Sequence, residues 1–359
     1  MNFAQLNSLI APIDDEAVAK CCAHWDGLAK PIGSLGLLEK AVVKIAGLTG
    51  NINVRLDQRA VLVLCADNGV LTEGVAQSGP EITGLVTGGV AHGHAAVCQM
   101  SRVAKAKVVT VDMGIFETID APNLLDRRIA PGTGNIAVGP AMTREQALQA
   151  IQTGIELVRQ QKEAGCSILA TGEVGIGNTT TSSAVLAVLL GQKVADVTGR
   201  GAGLSDEGLT RKIAAIERAI ACNKPDPEDA LDVLMKLGGF DIAGMAGIFI
   251  GGAIYRLPVI IDGLISAVSA LVASRLCPAG QCAMLASHVS AEPAAHLALA
   301  ALNLKPLITA GMRLGEGTGA VCALPLLDMA LSVYQSMATF SDIGIETYVP
   351  YEDFKCALS

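Results

Sequence analysis

The chain has 359 residues, of which 51% are hydrophobic, 17% charged and 3% aromatic, with 39 glycines. Such a chain can bury a large core and is not disordered, and Ala, Val, Ile, Leu and Gly must carry its packing. That balance suits a parallel sheet covered on both faces by helices. The net charge of −8 excludes a broad nucleic-acid surface, so an anionic ligand would have to meet local donors.

The segment from Met1 to Asp15 carries acids and no basic flank before an apolar run, so no secretory leader and a cytoplasmic setting are expected. Helices are expected between Ile10 and Leu48. Four β-rich runs then end in an acid beside a glycine: Ala60–Cys65 at Asp67 and Gly69, Ala106–Val111 at Asp112 and Gly114, Ser167–Ala170 at Gly172 and Glu173, and Leu257–Ile261 at Asp262 and Gly263. These read as parallel strands whose carboxyl ends collect ligand-binding groups; the competing reading is that each acid caps a following helix. Thr143 and Gln146 form a capping box for a helix that Gly165 stops. Ser205–Ile220 reads as a charged amphipathic helix, 223–228 as a loop, and Leu324–Thr339 as an apolar helix. The apolar region Gly238–Leu276 is interrupted by Asp241, Arg256, Pro258 and Asp262, which fits a buried helix–strand–helix unit and no membrane span. The ten cysteines show no CxxC pair and read as small buried hydrophobes. The expected fold is a Rossmann-like parallel sheet over residues 58–323, with a small helical domain from 1–57 and 324–359.

Five motifs carry candidate chemistry. Gly172–Thr181 follows a strand and opens a helix expected from Ser182 to Leu190. Its glycines Gly175 and Gly177, with Asn178, Thr179 and Thr180, suit a monophosphate cradle at a helix N-terminus, or a tight strand-to-helix turn. It lacks GK[ST] and the dinucleotide spacing. Gly311–Gly319 sets Glu316 among glycines, as a general base or as a solvated turn residue. Gly199–Gly203 and Lys212 offer the cations Arg200 and Lys212 for a phosphate, against a solvated helix face for Lys212. Ser287–Pro293 holds Ser, His and Glu without a nucleophile elbow, so Ser290 is read as a donor to phosphate or ribose. The segment Ser78–His94 contains His92 and His94, which lack an obvious third ligand, so no metal is expected. No cofactor is implied.

Together these motifs resemble the nicotinate-nucleotide:dimethylbenzimidazole phosphoribosyltransferases along nearly the whole chain. The resemblance is carried by Lys30–Gly36, Gly134–Thr143, Gly172–Thr180, Gly238–Ala243, Ser287–Pro293 and, most specifically, Gly311–Gly317. It implies a Rossmann-like fold and a dimer with sites near the interface. It also implies Glu316 as base, Glu173 as a second acid, and Gly175, Lys212, Ser290 and Gly315 around the phosphate of nicotinate mononucleotide. The chain departs from the family pattern where Asn68 replaces a His, Leu85 a Gln, Gly89-Val90 an Asn-Phe pair and His94 a Gly. With Ser78, Leu85 and His94 placed in the acceptor pocket, these changes point to a small aromatic acceptor of the phenol or p-cresol type. The chain then looks like the catalytic member of a related two-subunit enzyme. The competing expectations are a dimethylbenzimidazole-specific homodimer and a non-catalytic subunit of a heterodimer.

Overall fold

The computed structural model describes residues 1–348; the last eleven residues of the expected small domain lie outside the described part. Three helices come first, α1 (Phe3–Leu9), α2 (Asp15–Gly27) and α3 (Leu37–Thr49), then strand β1 (Arg59–Ala66). Next are α4 (Glu81–Ala91), α5 (Ala96–Val103), β2 (Lys107–Gly114), β3 (Leu124–Asp126), α6 (Arg144–Glu163) and β4 (Ile168–Val174). They are followed by α7 (Asn178–Leu189), α8 (Val194–Val197), α9 (Asp206–Asn223), α10 (Ala230–Leu237), α11 (Phe240–Ile254) and β5 (Val259–Ile261). The last elements are α12 (Leu264–Leu276), β6 (Met284–Ala286), α13 (Ala295–Ala301) and α14 (Thr318–Ser336).

The six strands form one sheet in the order β3-β2-β1-β4-β5-β6, and every pairing is parallel. Successive strands step outward from β1 to β3, and from β4 to β6 on the other side. The topological switch therefore falls between β1 and β4, where open α/β sheets bind ligands. All four expected strands are present, in the expected parallel arrangement.

β1 shows how alternation builds both layers. Ala60, Leu62, Leu64 and Ala66 enter the core under α6, α7, α11 and α12. Val61, Val63 and Cys65 enter the core under α2, α3, α5 and α14. A period of two sends neighbours to opposite faces, so a strand covered on both sides reads as an unbroken apolar run. On the first face α6 and α11 approach at glycines: a Cβ on Gly154 would overlap the Gly244 carbonyl, and one on Gly247 would overlap the Ile151 backbone. The second core joins Trp25, Val42, Leu324 and Tyr334 from the two ends of the chain with Val61, Ile168 and Ile260 from the sheet. The boundaries expected at 57/58 and 323/324 thus mark no break in the core, and α14 starts at Thr318, ahead of the second one.

The capping box at Thr143 and Gln146 is formed, and Gly165 follows the helix end with φ +86°. Gly238–Leu276 is the buried helix–strand–helix unit expected. Among the described residues one helix, α14, is long and apolar enough to cross a membrane by length and composition, and its inner face is part of the second core. Among the described residues eight cysteines carry free thiols, whereas Cys22 is disulfide-bonded, against the expectation of thiols throughout.

Candidate active site

A cavity of about 340 Å³ opens over the carboxyl ends of β4, β5 and β6, beside the switch point. Its walls bring together Ser78, Glu173, Gly175, Gly177, Asn178, Thr179, Ser290, Gly315 and Glu316 from segments scattered over the chain. Most of the candidate residues read from the sequence therefore share one space.

Glu316 sits on a loop of unusual backbone. Gly315, Glu316 and Gly317 have φ of +85°, +62° and +94°. For a glutamate the left-handed region costs about 1 kcal/mol or more, and such outliers persist where the surroundings enforce them. Two contacts do so here. A Cβ on Gly172 of β4 would overlap the Glu316 carbonyl, so the loop lies directly on the strand. The Asp262 carboxylate accepts the N–H of Gly317 at 3.2 Å and of Ala320 at 2.9 Å, clamping the start of α14. The Glu316 side chain reaches the start of α5, where its Oε2 accepts the Val97 N–H at 3.3 Å.

Glu173 is buried at the end of β4. Burial first, then the charge of Asp241, pushes its carboxyl up to about 8, with smaller contributions from Asp262 and Glu316 opposed by Asn178. Burial likewise raises Asp241 to about 6. Asn178 Nδ2 donates to both carboxylates, to Asp241 at 3.0 Å. At neutral pH Glu173 is thus largely a neutral acid.

α7 begins at Asn178 with Gly177 as a left-handed cap and no side-chain capping bond. The N–H of Asn178 donates to the Gly175 carbonyl and those of Thr180 and Thr181 to the Gly177 carbonyl, which leaves the Thr179 N–H of the first turn for an anion. The helix starts four residues earlier than Ser182, so Thr179 and Thr180 belong to its first turn. Lys212 is fully buried, not on a solvated face. Its Nζ donates to Thr179 Oγ1 at 2.8 Å and to the Gly199 carbonyl at 3.0 Å, and burial lowers its pKa to about 8. Lys212 stands behind Thr179 and does not itself line the cavity. Arg200 lines it but is tied to the Leu204 carbonyl and to Asp206.

Two expected acceptor residues lie elsewhere. Leu85 is 67% exposed and off the cavity wall. α4 buries Thr83, Thr87 and Val90, and at 100° per residue Leu85 lies roughly 200° from Thr83 and from Thr87, facing away from the sheet. Ile82 and Val86, one turn apart on α4, are among the apolar residues of the wall, as is Leu314. His94 is exposed and stacks near His92, ring centroids 6.0 Å apart, and it too is off the wall. Among the described residues no group of three or more His, Cys, Asp or Glu could hold a metal ion. Asn68 is buried beneath α7, its Oδ1 accepting from Thr181 Oγ1 at 3.3 Å.

The strand-end acids divide. Asp112 accepts the N–H groups of Gly114 and Ile115 and pairs with Arg128, and Asp67 faces a neighbouring cavity. Asp262 caps a helix, but the distant α14 and not the next one. Asp262 lines the cavity, as expected of a strand-end acid, together with His288, Glu292 and Arg313, which the sequence did not single out as site residues. Burial raises Asp262 against the pull of His288, and burial lowers His288.

Comparison with known proteins gives the family and the fold. A family model described as phosphoribosyltransferase matches residues 10–345. The nicotinate-nucleotide–dimethylbenzimidazole phosphoribosyltransferase of Ruminiclostridium cellulolyticum is 46% identical over 352 residues, covering 98% of this chain and 100% of that protein. The enzyme of the same name from Acetivibrio thermocellus is 47% identical over 350 residues, covering 98% and 99%. The crystal structure of CobT from Thermus thermophilus superposes with a TM-score of 0.88 at 39% identity, covering 93% of this chain and 100% of that one. The matched residues span every strand of the sheet and all the residues that line the cavity, and the chain belongs to the nicotinate-nucleotide–dimethylbenzimidazole phosphoribosyltransferase family.

Proposed function

We propose that the protein transfers phosphoribose from nicotinate mononucleotide to a dimethylbenzimidazole-type base, giving nicotinate and an α-riboside phosphate for cobamide assembly. The observation that carries this reading is Glu316, held in a strained left-handed conformation on the wall that also holds the anion-binding turn. The donor phosphate sits at the start of α7, with Thr179, Ser290 and the Lys212 charge behind it. An acceptor ring nitrogen attacks C1′ of the ribose. The C1′–N bond to the pyridinium breaks, and its electron pair neutralises the departing nicotinate. Glu316 takes the proton from the acceptor's other ring nitrogen. The leaving group needs no acid, so positioning and deprotonation do the work.

The expectation of a phenol or p-cresol acceptor rested on the departures at Asn68, Leu85 and His94, with Leu85 foremost. Leu85 faces away from the cavity, and the relatives' names specify dimethylbenzimidazole. The reading therefore moves to the dimethylbenzimidazole alternative, and the case for a different second subunit weakens with it. Assembly as a dimer stays part of the reading, supported by the family resemblance. Glu316 and its whole loop support a catalytic chain over a non-catalytic one.

Competition between dimethylbenzimidazole and p-cresol, with nicotinate mononucleotide as donor, tests the reading. Dimethylbenzimidazole riboside phosphate should dominate, and Glu316→Gln should abolish it while nucleotide binding persists. Preferential p-cresol transfer, or a Glu316→Gln rate within about tenfold of the parent, contradicts it.

A further inference from the structure

Glu292 is an acid of the cavity that the proposed chemistry leaves without a task. It lines the same wall as Ser290, and its backbone N–H donates to Ser290 Oγ at 3.3 Å. Its Oε2 is buried and has no hydrogen-bond partner among the described residues. The carboxylate occupies the place a side chain on residue 199 would take: a Cβ on Gly199 would overlap Oε2. The nearby cations are committed elsewhere, Lys212 to Thr179 and Gly199, and Arg200 to Leu204 and Asp206.

A buried carboxylate oxygen without a donor is costly, so a partner should arrive with the ligand. Resting on the reading above, the ligand is nicotinate mononucleotide. Its phosphate and its carboxylate are acceptors that Glu292 would repel, and its pyridinium nitrogen carries no hydrogen. Its ribose hydroxyls are its only hydrogen-bond donors. The phosphate at Thr179 and Ser290 also puts the ribose within a few bonds of Glu292.

We propose that Glu292 is a specificity-determining residue that accepts a hydrogen bond from a secondary hydroxyl of the donor ribose and so selects ribonucleotides over deoxyribonucleotides. The alternative role, a counter-charge for Lys212, makes no such distinction.

The test titrates nicotinate mononucleotide and its 2′-deoxy and 3′-deoxy analogues into the parent protein, Glu292→Ala and Glu292→Gln by calorimetry, which needs no turnover. Thermal melts check that each variant is folded. The parent should prefer the ribonucleotide over at least one analogue by about tenfold to a hundredfold, the range for a hydrogen bond to a charged group. Glu292→Ala should erase that preference by weakening only the ribonucleotide. Glu292→Gln keeps an acceptor oxygen and should retain part of it. Equal weakening of all three nucleotides by Glu292→Ala, or an unchanged preference, overturns the proposal while leaving the transferase reading intact. Absence of nicotinate mononucleotide binding to the parent overturns both.

Discussion

Replacing Asp262 by alanine should damage the site through Glu316 without touching the base itself. Asp262 joins β5 to α14 by accepting the N–H groups of Gly317 and Ala320 at 3.2 and 2.9 Å. Gly317 is the residue after Glu316, so the clamp acts one peptide from the strained position. Losing a helix cap costs about 0.5–2 kcal/mol, and a hydrogen bond to a charged group is worth about 1.5–3 kcal/mol. Part of this is returned because a buried carboxylate is removed, and burial already pushes Asp262 up. In a chain of 359 residues a net loss of about 2–3 kcal/mol should lower Tm by roughly 3–4 °C. The kinetic effect should be larger. Without the clamp Glu316 can relax toward an ordinary conformation, and a shift of about 1 Å costs on the order of a hundredfold in rate. The assay is kcat and KM with nicotinate mononucleotide at a saturating acceptor, beside a melt. The expected outcome is a large fall in kcat with a smaller change in nucleotide KM. Asp262→Asn, which keeps one acceptor oxygen for one of the two N–H groups, should fall between. A kcat for Asp262→Ala within about threefold of the parent, in a protein melting as expected, would refute the clamp.

Two further outcomes follow from the same walls. Glu173 is pushed up to about 8, above its ordinary carboxylate value of 4.5, so its favourable contribution is full below about 4.5 and is lost as pH rises through 8. Glu173→Gln should therefore gain stability relative to the parent across that window, measured by denaturant titration at pH 5 and pH 9, and should flatten a fall in kcat above pH 8; a parallel pair of pH curves would contradict it. Gly172→Ala places a methyl group against the Glu316 carbonyl; overpacking of about 1–3 kcal/mol and a fall in kcat of a hundredfold or more are expected, checked by melts and initial rates.

The legible parts of the fold were those with a local signature. β1, β2, β4 and β5 announce themselves as apolar runs ending in an acid and a glycine. β3 and β6 have three residues each, too few for any period to show. α7 and α14 both start earlier than their apolar patterns, because a left-handed glycine, Gly177 or Gly317, begins the helix before the apolar residues do. Within the site, Glu316 and Glu173 were visible because a lone acid among glycines is unusual. The Asp262 clamp spans 55 residues and leaves no trace in spacing. Lys212 carries the sequence signature of a solvated helix position, and only the packing of α9 on α7 and the 199–201 turn buries it. Glu292 was inside a motif already noted, but an unpartnered oxygen is a property of three dimensions alone.

Leu85 was misread for a reason that the sequence itself contains. Matching a position to a family motif identifies the residue in line, not the direction it faces. The phase of α4 supplies the direction: Thr83, Thr87 and Val90 follow the i, i+4, i+7 spacing of a buried stripe and are buried, and Leu85 falls on the other side of that helix. Side chains on the cavity wall, Ile82 and Val86, remain apolar, so the acceptor still meets a hydrocarbon surface suited to a flat ring. Leu85→Gln, which restores the residue of the family pattern, should leave the ratio of kcat/KM for dimethylbenzimidazole to that for p-cresol within about twofold of the parent. Val86→Ala, which removes two methyl groups from the wall, should lower kcat/KM for either ring, by about tenfold if most of that contact is lost, since each buried methyl group contributes about 0.8 kcal/mol. Both are read from initial rates with the two acceptors in parallel. A large swing toward dimethylbenzimidazole on Leu85→Gln alone would mean that α4 presents this position to the acceptor after all, and that its outward face is part of the site in the working assembly.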